Sequence, residues 1–185
     1  MKGHRFPADA RKRLSNEERR RMQPAEDIIA RMVLMPEEVV ADLGCGTGYV
    51  TIPMAARVTK VYAIDAQKAM LEALAEDLPH ELKDKVVPIQ SELPRIPLED
   101  RSIDRAVAVN VVHEVGDLAA LESELRRCLR PGGRFTIVDF PKRETSLGPP
   151  VSERLSEEEV ISNFPFFRKL KEWNYPEFYQ LELSL

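Results

Sequence analysis

The stretch "VVADLGCGTGYVTIPMA", Val39 to Ala55, sets an apolar β-branched run against three glycines in five residues, and then a second mostly apolar run. That order reads as a strand, a tight turn and the start of a helix. A turn so rich in glycine lets either a ligand or another backbone come close to the main chain. What lies over Gly44, Gly46 and Gly48 is the question the rest of the chain has to answer.

Outward from this turn, short β-branched runs alternate with longer amphipathic segments. The apolar runs are "VVADL", "VYAID", "VVPI", "IDRAVAVN" and "RFTIVDF"; between them lie "YVTIPMAARV", "QKAMLEALAEDL" and "DLAALESELRRCLR". In the last segment Asp117 caps a helix, Leu118, Leu121, Leu125, Cys128 and Leu129 share one face, and "PGG" ends it at Pro131. Strands apolar on both faces, alternating with helices, predict an α/β fold with a parallel sheet covered on both sides. After Phe140 the texture loosens into "PKRETSLGPPVSERLS", a loop, followed by a short capped helix in "SEEEVISNF". "FRKLKEW" and "EFYQLEL" flank "NYP" as a terminal hairpin. A two- or three-residue link cannot make a parallel crossover, so "EFYQLEL" should be an antiparallel strand.

The 185 residues suffice for one domain with one core, and 43% hydrophobic with 31% charged residues is an ordinary globular composition. The expected organisation is a single domain: residues 1–35 a helical cap or lid, 36–140 the binding core, and 141–185 a loop, short helix and hairpin. Ser15 with Glu18 resembles a capping box, and Pro24 suits the first turn of a helix through "AEDIIARMVLM". In that helix Ile28, Ile29, Met32 and Val33 should pack down. The net charge of −4 hides an asymmetry, because residues 1–35 hold nine Lys or Arg against five acids. The competing readings of this arm are a solvated helical face or a contact for nucleic acid. Cys45 and Cys128 lie far apart with no Cys or His at metal spacing, so neither a disulfide framework nor a metal site is expected. No run approaches the roughly 18 apolar residues of a membrane span, and a cytoplasmic protein is expected.

The three glycines follow G-x-G-x-G. The dinucleotide fingerprint wants its third glycine one residue later, where Tyr49 stands, and the Gly-Lys-Ser/Thr of a phosphate loop is absent. Asp65 closes the second strand 17 residues past Gly48, where a carboxylate can accept hydrogen bonds from both ribose hydroxyls. A glycine turn with an acid closing the next strand favours a nucleoside ligand over a purely structural turn.

"VVADLGCGTGYV", "VYAIDAQKAML", "LPRIPLEDRSIDRAVAVNVVHEV" and "LRRCLRPGGRFTIVDF" resemble, in order and spacing, the successive motifs of class I S-adenosylmethionine-dependent methyltransferases. The similarity is to the type 11 small-molecule group, which includes ubiquinone/menaquinone methyltransferases, and it spans residues 36–140. It implies a three-layer Rossmann-like sandwich with a mostly parallel seven-stranded sheet and one antiparallel strand near the C-terminus. It implies S-adenosyl-L-methionine as cofactor and S-adenosyl-L-homocysteine as product. Asp42, Gly44, Cys45, Gly46 and Gly48 would form the first motif, with Asp42 serving the cofactor's ammonium. Asp65 would bind the ribose, with Ala66 beside the adenine. Aligning the family's Leu-Pro-Phe-like triplet on Ile96-Pro97-Leu98 puts Glu92 at the adenine amine and Leu93 at the backbone contact. Glu92 departs from the usual Asp. The carbonyl of Asn110 would receive the ammonium.

In "NVVHEVGD", His113 is the catalytic candidate, with three readings open: a base, a group orienting the acceptor, or a packed loop histidine. Lys142, Arg143 and Arg154 offer charge to an anionic acceptor if they are not simply solvated. The expected partner is a small molecule bound by a monomer or homodimer, with nucleic acid disfavoured. An RNA or protein methyltransferase using the basic arm, or an NAD-type nucleotide-binding module, are the alternatives.

Overall fold

The computed structural model describes residues 17–185. The basic segment before Glu17, and with it the Ser15 capping box, lies outside the described residues. Two helices lead in, α1 (Glu17–Met22) and α2 (Ala25–Met32). Then follow β1 (Val39–Leu43), α3 (Thr51–Ala55), β2 (Lys60–Asp65), α4 (Lys68–Asp77) and β3 (Val86–Gln90). The second half comprises β4 (Ile103–Val109), α5 (Leu118–Cys128), β5 (Leu129–Asp139), α6 (Glu157–Asn163), β6 (Arg168–Asn174) and β7 (Tyr179–Ser184).

The seven strands form one sheet in the order β3-β2-β1-β4-β5-β7-β6. Every pair among β1 to β5 is parallel, whereas β7 runs antiparallel to both neighbours. β7 is therefore the one reversed strand, as the hairpin reading requires. Its link from β6 is four residues, Tyr175–Phe178, rather than two or three; Tyr175 N–H donates to the Phe178 carbonyl and the two rings stack at 4.4 Å.

Alternation along the strands builds two cores. Ala41, Leu43, Ala106, Ala108, Phe135 and Ile137 face α5 and α6, with the Phe135–Phe164 edge contact at their centre. Val40, Val61, Ala63, Val107, Val109 and Val138 face α2, α3 and α4. This is the three-layer sandwich. No helix among the described residues is long and apolar enough to cross a membrane.

Asp117 caps α5 by accepting from Ala120 N–H, and Ser156 with Glu159 forms a complete capping box on α6. α5 stops at Cys128, earlier than "PGG", because Leu129 and Arg130 already belong to β5, whose pairing with β4 shifts between Ile103 and Arg105. α2 buries Ile28, Ile29 and Met32, but Val33 takes a left-handed conformation that ends the helix and leaves it 58% exposed. Beneath α2, the buried Arg105 guanidinium bonds Glu38 at 2.8 Å, Glu182 at 2.6 Å and the Val33 carbonyl. A buried charge is tolerable only when paired this fully.

Candidate functional site

Parallel strands all present their C-terminal ends on one side, and ligands bind in crevices beyond those ends. Here the ends of β1, β2, β4 and β5 open on a cavity of about 910 Å³. α1 and the turn between β6 and β7 complete its wall, through Met22 and Gln23 and through Glu177 and Phe178.

Asp42 is buried in the floor, where Thr51 at the start of α3 donates its hydroxyl to the carboxylate. Burial pushes the Asp42 carboxyl up to about 7 against the pull of that hydrogen bond; Asp65 adds to the rise and Arg19 opposes it. Arg19 reaches over from α1, its guanidinium 4.4 Å above the Tyr49 ring.

The glycine turn offers room more than donors. Gly44 and Cys45 N–H both bond the Ile64 carbonyl, Gly46 N–H bonds Asp65 and Gly48 N–H bonds the Cys45 carbonyl. Four of its amides are thus spent internally instead of pointing outward. Gly44, at φ +68°, could not carry a side chain, because a Cβ would sit 2.4 Å from Val111 Cγ2. Gly44, Cys45 and Gly46 line the cavity, joined by Thr47 and Tyr49. Gly48 does not: it lies against Leu74 of α4, at φ +88°, as a packing residue. Burial, then Asp42 and Asp65, push the Cys45 thiol well up, so it stays protonated and fills space. Cys128 is fully buried in the core.

Asp65 accepts from Gly46 N–H at 2.9 Å and Gln67 N–H at 2.8 Å, one on each oxygen. These two amides fix the carboxylate on the cavity wall. Ala66, Glu92 and Leu93 share this end of the wall. The loop carrying Glu92 and Leu93 is moored to α5, where Arg127 donates to the Ile96 and Leu98 carbonyls and Glu124 accepts from Ile96 N–H.

Asn110, at φ +60°, turns the chain out of β4 and lines the cavity. Its amide pairs reciprocally with Gln23, at 2.9 and 3.1 Å, while Tyr49 Oη donates to the Gln23 carbonyl. α1 is thereby tied to the strand ends beneath it.

His113 follows in a short 3-10 turn. Its Nδ1 lies 2.7 Å from Asp139, the acid that ends β5, and its own N–H also donates to that carboxylate. A carboxylate can only accept, so Nδ1 carries the proton, and in the neutral ring Nε2 keeps a lone pair. Burial alone would lower the imidazole; the Asp139 hydrogen bond and charge, with Glu114 and Glu153, outweigh it and raise the pKa.

Of the three cations after β5, Lys142 and Arg143 are exposed, as the solvated reading has it, and Arg154 is not. Arg154 is buried and donates to the carbonyls of Pro141, Arg143, Pro149 and Leu147 and to Thr145. Arg143 donates to the Tyr175 and Pro176 carbonyls, and Lys142 pairs with Glu159. They fold the loop.

Arg19, Gln23, Tyr49, Asp139, Phe140 and Phe178 were not legible as site residues. Asp139 had a signal: it ends "TIVD" as Asp42 ends "VVAD" and Asp65 ends "VYAID". The two acceptors suit a ligand with a cationic end for buried Asp42 and hydroxyls for Asp65.

A family model described as a methyltransferase domain matches residues 41–137. An uncharacterized methyltransferase of Mycobacterium tuberculosis is 36% identical over 109 residues, which are 59% of this chain and 42% of that protein. The chain thus spans less than half the length of that relative. Among solved structures, a SAM-dependent methyltransferase from Aquifex aeolicus superposes with a TM-score of 0.89 at 25% identity, covering 97% of this chain and 99% of that one. A type 11 methyltransferase structure from Sulfolobus solfataricus gives 0.69 at 30% identity, covering 78% and 82%.

Proposed function

The chain belongs to the methyltransferase-domain family of class I S-adenosylmethionine-dependent enzymes, and from that premise we propose that it transfers the cofactor's methyl group to a small-molecule acceptor held over β4, β5 and β7. What supports the acceptor class is the size and division of the cavity: about 910 Å³ lies near the top of the roughly 300–1,000 Å³ range of small-molecule sites. The cofactor residues occupy its β1–β3 side, with Asn110 at the end of β4 on the boundary.

Bound there, S-adenosylmethionine supplies a methyl group already activated on a sulfonium. The chain's own task is to hold two molecules in line and keep water out, and orientation of that kind is worth up to about 7–11 kcal/mol in favourable systems. Asp42 and the Asn110 carbonyl take the ammonium, Asp65 the ribose hydroxyls, and Glu92 with Leu93 and Ala66 the adenine. His113, fixed by Asp139, accepts the proton of an acceptor that must lose one, a role typically worth about 10²–10⁴ in rate. Residues 17–23 cover the rim and shield the methyl group, so the lid expected of residues 1–22 rests on its last helix; the remainder lies outside the described residues. The protein would work as a monomer or homodimer in the cytoplasm.

Titration calorimetry with S-adenosylhomocysteine and with NAD(H) tests the reading. S-adenosylhomocysteine should bind and NAD(H) should not; the reverse result would retire it.

A further inference from the structure

S-adenosylmethionine ends in an amino acid, with an ammonium and a carboxylate on the same carbon. Asp42 and the Asn110 carbonyl, the groups placed at that end, can only accept, so they answer the ammonium and not the carboxylate. The glycine turn is a poor source of donors, because the amides of Gly44, Cys45, Gly46 and Gly48 are bonded within the fold. Among the described residues, Arg19 is the one Lys or Arg on the cavity wall.

Arg19 stands midway along α1, and its guanidinium lies 4.4 Å above the Tyr49 ring, at the glycine turn. Asp42 is near enough that each of the two residues favours the charged form of the other. Burial lowers the guanidinium to about 10, with Tyr49 and Asp42 opposing, so it is cationic at neutral pH. Arg19 has contacts of its own within the protein. A guanidinium has five N–H donors in a fixed fork, so those contacts and a ligand carboxylate are not exclusive.

Building on the cofactor reading, we infer that Arg19 receives the carboxylate of the cofactor's amino acid, and that it thereby selects for a cofactor that carries one. An α-amino acid holds its two charges one carbon apart, which suits two walls of opposite sign meeting at one ligand: the ammonium to Asp42, the carboxylate to Arg19. Charge-assisted pairs formed in a partly desolvated site are stronger than the same pairs in water. A cofactor without the carboxylate would instead bring a net positive end up to Arg19, and like charges there repel. Arg19 precedes the first strand of the sheet, so the contact comes from the leading helix and not from the glycine turn.

Calorimetry tests this with S-adenosylhomocysteine and with its decarboxylated counterpart, the same thioether ending in a primary amine. The wild-type protein should bind S-adenosylhomocysteine roughly tenfold or more tighter than the amine. Arg19→Gln should erase most of that difference, weakening S-adenosylhomocysteine about tenfold and the amine by less than about threefold. Arg19→Lys, which keeps the charge without the fork, should fall between. Equal wild-type affinity for the two ligands would overturn the assignment. So would substitutions at Arg19 that weaken both ligands alike, since they would give Arg19 a purely structural role over Tyr49. Either result leaves the cofactor reading standing, whereas failure of S-adenosylhomocysteine to bind the wild-type protein would remove both.

Discussion

Over β1, β2 and β3 the cavity wall is built around a main-chain turn, the glycine segment, and around Asp65, which main-chain amides hold. Asp65 is pinned by two backbone amides, and the glycine turn is closed by its own hydrogen bonds to Ile64 and Cys45. Over β4, β5 and β7 the wall is made of side chains that arrive from separate places: the 3-10 turn after β4, the end of β5, the loop after it and the β6–β7 turn. A wall of backbone cannot change without disturbing the fold. A wall of side chains can be rebuilt one substitution at a time, so the first half suits an invariant ligand and the second suits whatever acceptor the protein meets.

The contrast breaks most sharply at His113. His113→Gln should lower methyl transfer by about 10²–10⁴ while S-adenosylhomocysteine affinity stays within twofold, read by single-turnover kinetics beside calorimetry. Loss of cofactor affinity in that variant would mean the halves are not separable. Gly44→Ala strikes the other half. Its Cβ would meet Val111, a stiff β-branched neighbour, 2.4 Å away at a positive φ. Strain and overpacking together cost about 2–5 kcal/mol, a melting temperature lower by roughly 5–15 °C, with cofactor binding falling in parallel.

Asp65→Ala should weaken S-adenosylhomocysteine by about 1.5–3 kcal/mol for each ribose bond lost, measured by calorimetry. It should also lower the melting temperature, since Gly46 and Gln67 lose their acceptor. Asp65→Asn keeps one carbonyl acceptor and should be milder on both counts.

A smaller effect sharpens the electrostatics. The Asp42 carboxyl, raised to about 7, is partly protonated at neutral pH, whereas an ammonium needs the carboxylate. Cofactor binding therefore favours the ionised form: affinity should climb up to about tenfold per pH unit below 7 and level off above it. Asp42→Asn should flatten the profile. Folding shows the opposite sign, since a raised carboxyl pKa contributes stability that is full below its unfolded value near 4 and lost as pH rises through about 7.

The legibility of the two halves follows their construction. A backbone-built site is written in contiguous residues: strand, glycines, helix and closing acid sit within "VVADLGCGTG" and "VYAID", and their meaning survives without knowledge of the fold. The β7 reversal was legible for the same reason, because a short link permits only one pairing. Gly48 misled because spacing cannot say whether a glycine makes room for a ligand or for Leu74. Arg154 misled because a guanidinium in a polar, proline-rich loop reads as solvated, and only the folded loop shows the carbonyls that converge on it. Gln23 and Phe178 lie more than a hundred residues apart and meet only when the sheet is assembled, so no local pattern could have joined them.

The reciprocal amide pair between Gln23 and Asn110 has a kinetic consequence. Two neutral hydrogen bonds are worth about 1–3 kcal/mol together, so a nucleoside that must part them to leave departs roughly five- to 150-fold more slowly than through an open mouth. Turnover would then be paced by release of spent cofactor, with bond-making the faster step. Gln23→Ala would show this as quicker S-adenosylhomocysteine dissociation in stopped flow and a higher steady-state rate; an unchanged dissociation rate would mean the product leaves by another route.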